Sequence, residues 1–511
     1  MTPSDSHAPA RPAPVRVAEI EAGYAVPDTA RARAPAGPWR LTVADGTIAA
    51  VIGDGGAVTG GVAGGAGSVI GGKRHLALPA FVNAHDHGRA VSTLAFGAGD
   101  DALELWLPSL AAAPAIDTYL ESAVAFARMA RAGIVATNVT FDPRGDDRLI
   151  DHARAVARAA AEVGIRLGFC CPLLDRNLHG YGPADRLAAL HAPEDWAALG
   201  GDAPLPPLDE QIAAVEAVAA AIESPTCRVL FGPIGPIWVS PGGLAAIGDA
   251  VRRTGRQAYM HLLETPRQRA WLDREHDGAP LAALDRAGLL GPGSGFAHGV
   301  HLRPEEIALL AERGATVSVN TASNLRLRSG LAPAAAFEAA GLAWGVGLDS
   351  MSLGDAGDLL AQARLTALLN AGTGLEPTLD FAAALRALTR DGYRVIDADG
   401  LGDRGRLTPG APADIALIDL ERLAPDRAGA GGDPWSFLAG RGAAAHVTDL
   451  VVDGRAVLRD GVVQGVDLPV LETELAARLT EAAPAIAARR DLARRHRAAL
   501  HRYYAEDGHL A

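Results

Sequence analysis

Two patterns of hydrophobic and polar positions alternate through the centre of the chain. Short apolar runs rich in Val, Ile and Ala predict buried strands, and longer segments with one apolar face predict helices. The strand pattern recurs over residues 76–82, 134–140, 165–171, 227–231, 257–263, 295–300, 315–320 and 343–348. The helical pattern covers residues 117–132, 147–163, 211–222, 244–253, 304–312 and 334–340. Glycine directly follows several of these helical segments, as is typical of a helix end.

This repetition of strand and helix predicts the fold class. Strand–helix units of this number and length favour an α/β protein with a (β/α)₈ TIM-type barrel over residues 76–404. A doubly wound parallel sheet is the alternative architecture for the same alternation. The polar, proline-rich residues 172–208 interrupt the repetition, and we expect them to form a loop above the mouth of the barrel.

Shorter strand patterns lie near both ends of the chain. Residues 39–43 and 47–52 flank Asp45-Gly46, a dipeptide typical of a hairpin turn. The C-terminal counterparts are residues 414–419, 447–452 and 456–458. Because two short hairpins are not stable alone, we expect residues 16–75 and 405–465 to form one small β-sandwich domain built from both termini. These matching end segments favour the barrel over the doubly wound sheet.

Three further segments complete the predicted organisation. Residues 1–15 are rich in Pro and Ala and predict a disordered tail, and the glycine-rich residues 55–72 predict a loop. A charged, arginine-rich helical pattern over residues 472–504 predicts a helical C-terminal segment, 466–511, that packs on the barrel or on a partner subunit. A homo-oligomer could therefore form.

Composition narrows the class of protein. Hydrophobic residues make up 49% of the 511 positions, which is enough for a large core. The 60 acidic residues outnumber the 47 basic ones and give a formal charge of −13, so the chain lacks the basic footprint of a general nucleic-acid binder. Three cysteines make no disulfide framework, and neither a signal peptide nor a membrane-spanning run is evident. We expect a cytoplasmic protein with a small-molecule substrate and neither a nucleic-acid nor a membrane partner.

The first candidate for chemistry is the pair His85 and His87, which follows the first predicted barrel strand. In extended backbone, residues two apart point to the same side, so both imidazoles can face one point while Asp86 faces away. Two neutral imidazoles on one face suit a divalent transition metal. Taken alone, the motif is short and equally compatible with two ordinary histidines near a turn.

Other polar residues follow other predicted strands at the same end of the barrel. The fifth strand ends in a stretch that contains His261 and Glu264, the sixth contains His298, and the eighth ends in a stretch that contains Asp349. Each has an ordinary structural explanation, since a histidine often ends a strand and Asp349 could cap a helix. Because active sites of such barrels form at the carboxyl ends of the strands, the whole set favours a catalytic centre there.

With these residues in place, the chain resembles the metal-dependent amidohydrolase superfamily. The motifs are VNAHDH, HLLE, AHGVH, NTASNLRL and GLDS, and the likeness runs from about residue 36 to residue 460. It includes LTPGAPADIALID and VVDGRAVLRDG near the end and DDALELWL after the first barrel strand. The closest likeness is to the aminohydrolase branch, which includes cytosine and guanine deaminases, triazine chlorohydrolases and adenosine-type deaminases. As a set, the motifs are specific for the superfamily and do not name a substrate.

The resemblance implies a role for each matching residue. The metal ligands would be His85, His87, His261 and Asp349, holding one divalent ion, with Zn²⁺ preferred and Fe²⁺ or another divalent ion compatible. Glu264 would move protons, and His298, with Asp349, would orient the water. Binuclear members bridge two metals with a modified lysine after the fourth strand; this region, residues 227–233, has no lysine, which implies a mononuclear site.

The implied activity is hydrolysis of a carbon–nitrogen bond other than a peptide bond, through a metal-bound hydroxide. Deamination of an aminated nitrogen heterocycle is the first hypothesis. Hydrolysis of an amide, carbamate or urea-type compound is the second, and a non-catalytic binding barrel is the third. Trp106 and Trp238 could stack on a planar ring, although packing is the commoner role of Trp. Asn320 and Asn324 could contact the edge of the ring, or Asn324 could brace its own loop.

Overall fold

The computed structural model describes residues 15–29, 34–53, 58–60, 67–142, 147–177, 179–350, 357–396, 404–427 and 432–510. The predicted disordered tail lies outside these ranges, apart from its last residue. The strands are β1 (Val17–Ala25), β2 (Ala36–Ala44), β3 (Thr47–Ile52), β4 (Val58–Gly60), β5 (Ser68–Pro79), β6 (Phe81–Asp86), β7 (Ile134–Thr140), β8 (Arg166–Leu173), β9 (Cys227–Pro233), β10 (Ala258–Leu262), β11 (Ser294–His298), β12 (Thr316–Val319), β13 (Ala343–Val346), β14 (Ile415–Asp419), β15 (Val447–Val452), β16 (Arg455–Arg459) and β17 (Val462–Val463).

Most helices lie between the strands of the central region, and the longest ends the described chain. They are α1 (Leu103–Trp106), α2 (Thr118–Arg131), α3 (Leu149–Val163), α4 (Ala184–Ala188), α5 (Pro193–Ala198), α6 (Leu208–Ile222), α7 (Pro241–Thr254), α8 (Pro266–Glu275), α9 (Pro280–Ala287), α10 (Pro304–Arg313), α11 (Thr321–Arg326), α12 (Ala334–Ala339), α13 (Leu359–Leu369), α14 (Phe381–Leu388), α15 (Arg390–Ile396), α16 (Leu420–Leu423), α17 (Pro434–Arg441) and α18 (Leu468–Ala505). None of the described helices is both long and apolar enough to cross a membrane.

Strands β6 to β13 form an eight-stranded sheet in which the strand order follows the chain. Neighbouring strands are parallel, and helices connect them, so the sheet curls into the predicted barrel. The Leu348 N–H donates to Asn83 Oδ1 at 2.9 Å, and the Asp349 N–H donates to the carbonyl of His85 at 2.9 Å. These two bonds join the end of the last strand to the first, at the end of the barrel where the candidate site is expected to lie.

The first predicted barrel strand differs from the observed one. Residues 76–79 belong to β5, which pairs with β1 and β14 outside the barrel, and the barrel strand β6 begins at Phe81. The chain changes sheets at Ala80, whose N–H donates to the Asp414 carbonyl at 3.0 Å, while the Phe81 N–H donates to the Gly133 carbonyl at 3.0 Å. A continuous apolar run conceals this change, because both sheets bury the segment.

The second sheet confirms that both ends of the chain build one β-domain. Its nine strands have the order β17-β16-β15-β14-β5-β1-β2-β3-β4. Buried residues from both ends, including Ile20, Ile48 and Ile415, share one apolar core, so the sheet folds over itself. Asp45 and Gly46 have φ values of 48° and 79°, as a tight hairpin turn between β2 and β3 requires.

Two segments predicted as loops contain regular structure. Residues 55–72 include β4 and the start of β5, while residues 54–57 and 61–66 lie outside the described ranges. Strand pairing with β1 and β3 stabilises these glycine-rich pieces, which have little strand preference of their own. Residues 172–208 include α4 and α5, which contact the C-terminal helix α18. The C-terminal helix α18 spans 38 residues.

A buried ion network joins the N-terminal end of the barrel to the β-domain. The side chain of Arg166, at the start of β8, is only 6% exposed and lies 3.0 Å from Asp414 Oδ1. Arg404 Nη1 lies 2.8 Å from Asp414 Oδ2, and the Tyr393 hydroxyl donates to the same oxygen at 2.9 Å. Burial would raise the pKa of Asp414, but the two arginines outweigh it and lower that pKa.

This network predicts a large stability effect at a position far from the candidate site. Arg166→Met should lower the free energy of unfolding by about 3 kcal/mol, because removal of one partner leaves buried charge uncompensated. The midpoint of denaturant unfolding measures this change. Arg313→Met is the matched control, since Arg313 pairs with Asp285 at the surface and should matter far less. Equal midpoints for the two variants would contradict a stabilising role for the buried network.

Candidate active site

Four side chains meet at the carboxyl ends of three barrel strands. They are His85 and His87 at the end of β6, His261 in β10 and Asp349 after β13. One ligand atom from each lies within 4.8 Å of the others. His85 Nε2 and His87 Nε2 lie 2.9 and 3.4 Å from Asp349 Oδ1, respectively. The structure therefore brings together the whole predicted ligand set.

Backbone strain marks the strand ends that carry these groups. Leu263, His298 and Asp349 have φ values of 48°, 75° and 68°, in the left-handed region that residues other than glycine rarely adopt. Such conformations cost free energy and persist where surrounding contacts enforce them, often at functional sites. Here they occur at the carboxyl ends of β10, β11 and β13, where His261, His298 and Asp349 lie.

Hydrogen bonds fix the orientation of the imidazole rings. His87 Nδ1 donates to Asp142 Oδ1 at 3.0 Å, and His261 Nδ1 donates to the Ile234 carbonyl at 2.6 Å. Because a carboxylate and a carbonyl can only accept, the proton of each neutral ring lies on Nδ1. The free electron pair of each ring then lies on Nε2, and the two Nε2 atoms face each other at 3.4 Å.

This arrangement fits a bound divalent cation. When both rings are neutral, these two Nε2 electron pairs can bind one cation, and without a cation a proton on His87 Nε2 can occupy the space between them. Three imidazole nitrogens and one carboxylate oxygen form a donor set that Zn²⁺ commonly accepts. A buried carboxylate beside three histidines also supplies the negative charge that balances a cation. The residues at this position are therefore able to hold a metal ion.

The pKa values describe a centre that attracts positive charge. Burial lowers the pKa of His85 to about 4 and that of His261 well below its ordinary value, so both rings stay neutral. Burial would also lower the pKa of His87, but the carboxylates of Asp142 and Asp349 outweigh it and raise that pKa to about 10. Burial would raise the pKa of Asp349, yet the histidines hold it well below its usual range.

Glu264 and His298 lie beside the four predicted ligands and face the same cavity. His298 Nδ1 donates to Asn324 Oδ1 at 2.8 Å, and His298 Nε2 lies 3.7 Å from Glu264 Oε2. Among the described residues, His298 Nε2 has no hydrogen-bond partner although it is buried. Burial raises the pKa of Glu264 to about 7. A carboxyl group with that pKa can both accept and release a proton near neutral pH.

A cavity with an empty volume of about 640 Å³, part of it open to solvent, lies over the site. Its polar side consists of His87, Arg89, Asp142, His261, Glu264, His298, Asp349 and Ser350. Its other walls are apolar and consist of Leu103, Trp106, Leu107, Leu110, Ile234, Trp238 and Leu327. The cavity therefore combines one reactive polar face with walls suited to a flat, largely apolar molecule.

The residues predicted to contact substrate fall into two groups. Trp106 and Trp238 line the cavity, so both can meet a bound ring. Asn320 and Asn324 are fully buried beside His298, with Asn320 Nδ2 3.3 Å from His298 Nδ1. Their contact with substrate stays a prediction, whereas their contact with His298 is present in the structure. Bracing of His298 is the role that this packing supports.

Two groups near the site were missing from the predicted set. Asp142, two residues after β7, holds His87, and the same strand-end rule that identified Asp349 would have found it. Tyr181 lies in the segment expected to be a loop, and its hydroxyl accepts a bond from Gln268 Nε2 at 3.2 Å. Gln268 Oε1 in turn accepts the Glu264 N–H at 2.9 Å. The sequence pattern does not predict this contact between Tyr181 and Gln268.

Comparison with known proteins identifies relatives over most of the chain. The amidohydrolase family pattern matches residues 76–457. A 5′-deoxyadenosine deaminase of Methanothermobacter thermautotrophicus is 28% identical over 431 residues, which cover 83% of this chain and 90% of that protein. An 8-oxoguanine deaminase of Pseudomonas aeruginosa is 30% identical over 421 residues, covering 78% of this chain and 86% of its own.

A solved structure shares the overall fold. The adenosine deaminase from Xanthomonas campestris with bound zinc superimposes with a TM-score of 0.73 at 24% sequence identity, covering 93% of this chain and all of that one (100%). The family match and the deaminase relatives together show a hydrolase that acts on carbon–nitrogen bonds. The chain belongs to the amidohydrolase family, as the match over most of its length shows.

Proposed function

We propose that this protein is a hydrolytic deaminase that releases ammonia from an aminated nitrogen heterocycle. The observation that carries the proposal is the position of Glu264, a buried carboxyl group with a pKa of about 7, beside the four predicted ligands. The names of the relatives support the same chemistry, since they are deaminases of purine-type compounds.

The proposal includes one divalent ion held by His85, His87, His261 and Asp349. Zn²⁺ is our first choice, because three nitrogens and one oxygen suit it. Such an ion polarises a water molecule and lowers its pKa from 15.7 to roughly 7. The protein's own contribution is to fix the orientation of each donor, through the Ile234 carbonyl for His261 and Asp142 for His87.

Glu264 and His298 would handle the protons of the reaction. Water adds its oxygen to the ring carbon, the carbon–nitrogen bond breaks, and the amino group leaves as ammonia. Glu264 can take a proton from the water and deliver it to the departing nitrogen, which leaves readily only when protonated. His298, fixed by Asn324, can hold the water in line, because its unpartnered Nε2 faces the cavity that Glu264 also faces.

The cavity walls support a planar substrate. Trp106 and Trp238 offer large apolar surfaces on which a ring can pack, and the leucines of the wall exclude water. A flexible amide, carbamate or urea lacks a flat aromatic face and would gain less from these walls. We therefore rank deamination above hydrolysis of those compounds, which the same polar face could also perform.

An assay for released ammonia tests the proposal. Metal-loaded protein should release ammonia from at least one member of a panel of aminopurines, aminopyrimidines and aminotriazines. Elemental analysis of the same preparation should find about one divalent ion per chain. No ammonia from the panel, with turnover of an amide, urea or carbamate, would replace the deaminase proposal with the second activity. Two ions per chain in one bridged site would contradict the mononuclear centre.

A further inference from the structure

The histidines of the centre differ in what fixes their Nδ1 atoms. His261 donates to a neutral backbone carbonyl, that of Ile234. His87 donates to a carboxylate, Asp142 Oδ1, at 3.0 Å. The second oxygen of the same carboxylate, Oδ2, accepts a hydrogen bond from Arg89 Nη2. Asp142 thus has one oxygen for each of two donors, and both donors lie in the wall of the cavity.

This arrangement has a definite chemical consequence for the ring of His87. A histidine that binds a metal through Nε2 must carry its proton on Nδ1, and an acceptor at Nδ1 selects that form. A carboxylate acceptor also makes the other nitrogen a stronger electron donor than a neutral acceptor does. The hydrogen bond from Arg89 to Oδ2 stabilises the orientation in which Oδ1 of the same carboxylate faces His87.

We propose that Asp142 is a positioning residue for the metal centre, where it selects the tautomer of His87 that offers Nε2 to the ion, and that Arg89 fixes Asp142 in that role. This inference rests on the proposed metal site and extends it to two residues that neither the sequence motifs nor the relatives' names assign. The alternative is that Asp142 contacts substrate directly, since 31% of its side chain is exposed and it lines the cavity.

Substitution by asparagine separates the two roles. Asparagine has the shape of aspartate but only one acceptor oxygen, while Arg89 and His87 both require an acceptor. If the oxygen faces Arg89, the amide NH₂ faces His87 Nδ1 and places the ring proton on Nε2, the nitrogen that should bind the ion. Asp142→Asn should therefore weaken metal binding by roughly 10- to 100-fold, the usual effect of losing such a partner.

The double variant provides an internal check. In Arg89→Leu/Asp142→Asn the asparagine oxygen no longer has to face Arg89, so it can turn to accept the His87 Nδ1 proton. Metal affinity should then recover part of the loss seen in Asp142→Asn alone. Asp285→Asn is the matched control, because Asp285 also pairs with an arginine, Arg313, but does not line the cavity. This control should bind the metal as the wild type does.

The measurement is titration of metal-stripped full-length protein with Zn²⁺ in competition with a chromophoric chelator. Co²⁺ absorption spectra of the same variants report the coordination geometry without any substrate. Wild-type affinity in Asp142→Asn, an equal loss in Asp285→Asn, or no recovery in the double variant would each overturn the inference. Failure of the wild type to bind Zn²⁺ would instead overturn the proposed metal site, so the two failures are distinguishable.

Discussion

Replacement of Glu264 by Gln should lower kcat by roughly 10² to 10⁴-fold while leaving the metal in place, the effect expected for loss of a proton carrier. Glutamine keeps the shape of the side chain and can still accept the bond that Ser329 Oγ gives to Glu264 Oε1 at 3.2 Å. It cannot take up or release a proton near neutral pH. Because Glu264 is not one of the four predicted ligands, the centre itself should remain intact.

Two measurements on the same preparation test this prediction. The ammonia assay gives kcat and KM, and elemental analysis gives the metal content per chain. Glu305→Gln is a suitable control, since Glu305 is exposed in the first turn of α10 and should keep wild-type turnover. Normal kcat in a metal-loaded Glu264→Gln protein would contradict the assignment, and loss of the metal would make Glu264 a ligand instead.

The barrel could be predicted because its strands have an unusually clear pattern. Strands of a parallel barrel are buried on both faces, so each appears as a short apolar run rather than as an alternation. Seven of the eight runs correspond to strands of the barrel sheet alone. The exception is the first run, where β5 and β6 meet at Ala80, because two sheets that both bury their strands leave the same apolar signal. Only their partner strands distinguish β5 from β6, and the hydrophobic pattern does not show which strands pair.

The four predicted ligands could be found for a related reason. Parallel strands place their carboxyl ends at one edge, so polar residues after several strands must converge there. The partners of these ligands are harder to predict. The backbone of His298 is left-handed, and its ring contacts Asn324 in α11. The hydrophobic pattern of the sequence does not predict such a backbone angle. Asp142 could have been predicted from the same rule, if polar residues after the end of β7 had also been considered.

The C-terminal helix α18 makes contacts that the hydrophobic pattern of the sequence does not predict. The Tyr181 N–H donates to the Tyr504 hydroxyl at 3.1 Å, and the Tyr503 hydroxyl donates to the Tyr181 carbonyl at 2.8 Å. The Tyr181 ring also contacts Trp238, with ring centroids 5.8 Å apart. The end of α18 therefore supports one wall of the cavity from more than 300 positions away along the chain. The helical periodicity of residues 472–504 predicted the helix, but only its contacts in the structure show that its end lies beside this wall of the cavity.

Removal of the metal should have the largest effect on activity of any treatment. Protein stripped with a chelator should show no turnover above background, because the polarised water of the proposed reaction is lost, and stoichiometric Zn²⁺ should restore it. The donors explain why removal should also weaken the fold. They come within 4.8 Å of one another only in the folded chain, so an ion that binds all four stabilises the folded state over the unfolded one.

Thermal unfolding measures this second effect, and Glu264→Gln separates it from catalysis. A ligand that binds only the folded state stabilises it by about 2.7 kcal/mol when its free concentration is 100 times its dissociation constant. Zn²⁺ should therefore raise the unfolding temperature of the wild type and of Glu264→Gln equally, although only the wild type turns over substrate. In a separate variant, His261→Ala, Zn²⁺ should no longer raise the unfolding temperature, because one of the three imidazole donors is gone. A Zn²⁺-dependent shift that survives in His261→Ala would place the ion elsewhere in the protein and contradict the assigned centre.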